Sequence, residues 1–217
     1  MTDNRMSGLV LLAASAGLIL TLSLHPSGRI APAQIDQMVR KLVAVHSLGL
    51  ATLPLTFLGA LGLARVLASP NRLGIVGLVL YGFAAVAMLC GVVADGLVTP
   101  SLLREMVAAS PGTSTSDAVR MVFKYNDYLD MALVQVSMVA STAAIAVWSV
   151  AIVRSATLPR GVAIYGLILG VVALLAVFSG ALNPEHAIHI VVVSQCSWFV
   201  IVGILLWRLQ EPVSHPA

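Results

Sequence analysis

Six apolar runs of about twenty residues, joined by short polar connections, leave this 217-residue chain few folds to choose from. They cover residues 6–24, 42–64, 73–98, 128–153, 161–182 and 187–207. Each is close to the ~20 residues that cross a hydrocarbon layer at about 1.5 Å per residue. None shows the two-residue alternation of a barrel strand, and a continuous apolar segment in lipid satisfies its own backbone only as a helix. Charged residues make up 10% of the chain, against about 25% in soluble proteins, so polar surface for a water-soluble domain is missing. The expected fold is therefore an all-α membrane protein, a six-transmembrane-helix bundle. Residues 1–210 would form a single domain and residues 211–217 a short polar tail. The first run is followed by Ala31-Pro32-Ala33, which has the small-residue look of a signal peptidase site. It is longer than a signal core, and His25, Pro26 and Arg29 intervene, so we read it as a retained helix.

An even number of crossings returns both termini to one side. Arg5, Arg65, Arg72, Arg154, Arg160 and Arg208 fall there, in very short loops and tails where the positive-inside rule acts most strongly. The expected placement is a cell inner membrane with both termini cytoplasmic. The net charge of +3 reflects this topology rather than nucleic-acid binding, since the cations form no run and have no interleaved aromatics. Connections on the other side are longer. Within the one between helices three and four, residues 101–110 and 117–124 have apolar positions at helical spacing, which predicts short amphipathic helices lying on the membrane surface. Asn126 and Asp127 then suit a helix start, by capping and by their interaction with the helix dipole. Gly166 and Gly170 have the four-residue spacing of close helix contacts, serving either the bundle or a homodimer. Cys90 and Cys196 belong to no spaced pair and read as small buried hydrophobes.

Chemistry concentrates on the side away from the termini. His25, His46, His186 and His189 all fall at ends of apolar runs that alternate passage brings to that face. His186 and His189, three residues apart, share a helix face, and His46 lies about a turn into helix two. Zinc, copper or iron sites need three or four N, O or S ligands from different elements, and these four histidines with Asp95 or Asp130 would supply such a set. Asp95 and Asp130 adjoin long apolar sequence, where a carboxylate costs a few kcal/mol and faces a cavity or partner. Below Asp130, Ser137 and Ser141 continue a polar stripe into the bundle, while Gln195 and its serine neighbours read as polar glue between helices.

His46, Asp95 and the pair His186 and His189 are similar in placement to the zinc site of membrane hydrolases of the alkaline ceramidase and adiponectin receptor type. The likeness covers those four positions and no continuous motif, and this chain has one apolar run fewer. It implies zinc held near one bilayer face.

The leading expectation is a metal site, with His25, His46, His186 and His189 as ligands and Asp95 or Asp130 as the carboxylate that orients or deprotonates bound water. A zinc-dependent hydrolase of a lipid or small apolar substrate would use it so. Three alternatives remain: a proton-coupled carrier with Asp130 and the histidines as relay, a haem protein with iron between His46 and a histidine of the last helix, and an accessory or assembly subunit of a membrane complex.

Overall fold

The computed structural model describes residues 3–26, 34–68, 72–109, 112–179 and 184–209. The described residues fold as helices joined by short turns, without strands. In chain order they are α1 (Asp3–Leu24), α2 (Ile35–Leu67), α3 (Leu73–Val93), a π turn (Ala94–Val98), α4 (Thr99–Ala108), α5 (Ser114–Ser155), α6 (Arg160–Phe178) and α7 (Pro184–Arg208). With α3 and α4 counted as one span through the π turn, six helices are long and apolar enough to cross a membrane. Their outer surfaces are apolar too. Ile75, Val79, Phe83 and Val86 on α3, and Ile164, Ile168, Val171 and Leu175 on α6, are exposed stripes that suit lipid, not water. The polar C-terminal tail lies outside the described residues.

Several helix ends have a local cause. Thr113 caps α5, its hydroxyl accepting the Ser116 amide at 3.2 Å, and Ala156 closes it in the left-handed region with φ 52°. Pro159 precedes α6, where a missing N–H is harmless. Pro100 acts differently. It lacks an N–H, and its ring would strike the carbonyl four residues back in an unbroken α-helix. The chain instead widens into the π turn and resumes as α4 with Pro100 in the first turn.

The helices close a ring in which α1 packs between α2 and α7, α3 between α2 and α5, and α6 between α5 and α7. At its centre Trp148 and Trp198 stack 6.2 Å apart, with Tyr81 and Phe199 against them. Each indole N–H is satisfied inside the bundle, Trp148 by the Gly74 carbonyl at 3.0 Å and Trp198 by the Val162 carbonyl at 3.1 Å. Gly77 underlies Trp148, and Gly166 underlies Ser149 and Trp198, while Gly170 faces Thr142. The Gly166 and Gly170 pair is thus used within the bundle.

The helices are unequal in length. At about 1.5 Å per residue, α6 with 19 residues is about a hydrocarbon thickness long, whereas α5 with 42 is roughly twice that. Val134 and Met138 pack with Ala173, Ala176 and Val177 near the end of α6, so α5 continues some five turns beyond it. Those turns, with α4 and the start of α2, form a head at the distal end, away from the termini. Residues 101–108 and 117–124 are helical, but as extensions of the spanning helices and not as separate pieces. Asn126 does not begin a helix either. It lies twelve residues inside α5, with its side chain buried.

Candidate metal centre

His25, His46 and Asp95 come together at the distal end from three elements. His25 follows the last residue of α1, its amide bonded to the Leu22 carbonyl at 3.3 Å. His46 lies in α2, only 6% exposed. Asp95 is the second residue of the π turn. The Nε2 atoms of His25 and His46 lie 3.3 Å and 3.0 Å from the same oxygen, Asp95 Oδ2. The two rings meet edge to face, with centroids 5.2 Å apart. Among the described residues these three offer ligand atoms all within 4.8 Å of one another.

Backbone packing seats His46. Gly96 faces it so closely that a Cβ there would overlap the His46 Cβ and lie 2.6 Å from its Cγ. On its other edge the ring places Nδ1 2.8 Å from the Leu42 carbonyl. A carbonyl only accepts, so Nδ1 carries the proton, and in the neutral ring Nε2 presents a lone pair. That lone pair faces a carboxylate oxygen, which is also an acceptor. Two acceptors 3.0 Å apart need something between them, either a proton, on Nε2 or on the carboxyl oxygen, or a metal ion. Tetrahedral zinc bonds of about 2.0–2.1 Å separate neighbouring ligand atoms by roughly 3.3–3.4 Å. The distances to Oδ2 are close to that edge length, and the N and O donors suit a zinc-type ion. Side-chain exposures of 40% for His25 and 26% for Asp95 leave the cluster open on one side.

The other expected residues surround this cluster at different distances. Asp130, on α5, is half-buried and packs its Oδ1 over Gly91, one turn before Asp95, 3.0 Å from where a Cβ would stand. It feels the charges of Asp95, His46, Asp127 and His25. His186 and His189 occupy the first turns of α7 and are exposed. The antiparallel contact of Gly8 with Gly203 sets the register that brings them level with the end of α1. They share the distal end, yet they stand outside the three-residue cluster, because α1 packs between α2 and α7. The same interposition separates His46 from the last helix, where a bridging haem would have to sit. His25 and His46, in edge contact, leave no room for a porphyrin between them.

Two contributors have no counterpart among the expected residues. Gly96 makes the seat for His46. Asn126 donates from Nδ2 to the Ala94 carbonyl at 3.1 Å and to the Thr99 hydroxyl at 3.0 Å, across the π turn that carries Asp95. Pro100, two residues past the third apolar run, was the visible sign that the helix re-forms near Gly96, whereas no sequence signal pointed to Asn126. No protein-family model, curated protein or solved structure matches the chain.

Proposed function

We propose that this is a membrane metalloprotein whose His25, His46 and Asp95 hold a divalent zinc-type ion and that it hydrolyses a lipid or small apolar substrate. The reading takes residues 1–210 as one membrane domain, with both termini cytoplasmic and the site facing outward. One observation carries it: with Nδ1 bonded to the Leu42 carbonyl, His46 turns Nε2 onto a carboxylate oxygen that a second imidazole also approaches. Three protein ligands with an open side is the arrangement of catalytic rather than structural zinc. When bound, such an ion supplies Lewis acidity that activates water near neutral pH. Asp130 stands nearby to take up the proton released. Exposed Leu24 beside His25, and exposed Val93 and Leu97 flanking Asp95, make the surroundings apolar and favour a substrate arriving from the bilayer.

Metal analysis of protein purified without added metal tests this. The expected result is about one ion per chain, lost in His46→Ala and in Asp95→Ala. A metal-free wild type overturns the reading, and a Soret band replaces it with haem.

A second reading follows from the same geometry, with a proton in place of the ion. His46 and Asp95 would then form an ion pair within a proton relay of a carrier, continued by Asp130, Ser137, Ser141, Thr142 and Gln195. The Trp148, Trp198, Tyr81 and Phe199 cluster closes the bundle beyond that seam, which ranks carriage second.

A further inference from the structure

Asp95, which reaches both imidazoles, sits on backbone that is widened. In the π turn the Thr99 N–H bonds to the Ala94 carbonyl, five residues back, instead of one residue nearer. One added residue rotates everything beyond it by about 100° relative to an unbroken helix of 3.6 residues per turn. Pro100 forbids the unbroken helix but does not specify how the chain re-forms after the break. Asn126 touches both ends of the break. Its two amide hydrogens go to the carbonyl of the first π-turn residue and to the hydroxyl of the residue after the last one. Buried and mid-helix in α5, this amide has no capping duty, and burial without both bonds would be costly.

We propose that Asn126 is a positioning residue: by stapling Ala94 to Thr99 it holds the π turn in the form that aims Asp95 at His25 and His46. Asn126 reaches no ligand atom and acts through the backbone. The inference rests on the metal reading for one of its two readouts. Groups that orient metal ligands typically alter affinity about 10- to 100-fold when removed.

The test uses the full chain in detergent, loaded with Co²⁺, whose visible bands report ligand geometry. Asn126→Leu, similar in volume without the amide, is expected to weaken Co²⁺ affinity about 10- to 100-fold and to shift those bands. Thr99→Val, which removes one of the two acceptors, should fall between it and wild type, and it decides the matter if Asn126→Leu does not fold. Ser149→Ala removes a buried hydroxyl lower on α5 and should match wild type. Hydrogen exchange of the amide at position 99, taken relative to each residue's intrinsic rate, should quicken in Asn126→Leu, and by less in Thr99→Val, but not in Ser149→Ala. Wild-type affinity and bands in Asn126→Leu overturn the staple, and so does weakened affinity with unchanged Thr99 exchange. If the wild type takes up no cobalt, the metal reading falls, and Thr99 exchange alone decides the staple.

Discussion

Gly96→Ala adds one methyl group at the site and removes neither a charge nor a hydrogen bond, so its consequences can be worked from distances alone. The new Cβ would overlap the His46 Cβ and stand 2.6 Å from Cγ, whereas ordinary contact begins at 3.4 Å. The imidazole or the π turn must therefore retreat by more than about 0.8 Å, the shortfall at Cγ, since the overlap with Cβ is tighter still. His46 has little freedom to do so, being buried and bonded through Nδ1 to Leu42. Overpacking of this kind costs about 1–3 kcal/mol, and alanine regains about 1 kcal/mol over glycine within a helix. The net loss of stability is thus roughly 0–2 kcal/mol, small enough for the bundle to survive.

The site tolerates much less than the fold. Ligand distances in metal centres vary by about 0.2 Å, so the displacement is several times what coordination allows. Metal content measured on Gly96→Ala should fall close to zero while helicity is kept. Gly82→Ala is the matched control, since a Cβ there meets Phe57 at an ordinary 3.7 Å, and it should keep its ion. Full metal content in Gly96→Ala would refute the claim that Gly96 seats a ligand.

Orientation can be read by placing single cysteines in a cysteine-free background. A membrane-impermeant thiol reagent added to intact cells should label Ser114→Cys, at the distal end, and not Thr157→Cys, in the turn before α6; the reverse pattern puts the cluster in the cytoplasm. Stability and site should separate at the other end of the bundle. Trp148→Ala removes a fully buried indole and its bond to Gly74, and should lower unfolding stability by about 3–5 kcal/mol while the folded fraction keeps its ion. Loss of the ion from folded Trp148→Ala would show instead that core and cluster are one unit.

Six spans were legible because run length and hydrocarbon thickness are the same physical quantity. Their limits were not. Hydropathy marks where a helix leaves lipid, not where it ends, so α2 begins at Ile35 and α5 at Ser114, well before their apolar runs. His25, His46 and Asp95 were legible as neighbours because alternate passage puts the ends of helices one and three and the start of helix two on one face. The separation of His186 and His189 from them was not, since run lengths carry no information about which helices adjoin around a ring. Asn126 was read by a local rule as a helix start. Its real partner is a carbonyl 32 residues earlier, and no local rule reaches that far.

The distal end departs from helical regularity where the core does not. Around Trp148 and Trp198 the chain follows ordinary packing, with small residues under large rings and both indoles satisfied. At the cluster it accepts a π turn, a buried imidazole and a buried amide, each unfavourable for a helix that only has to cross a membrane. These features also adjoin one another: Asp95 lies in the turn, Asn126 bonds across it, and Gly96 lies against His46. Departures from local rules that adjoin in this way and converge on three ligand-capable side chains support the metal reading proposed above, because packing alone gives no reason for them to coincide.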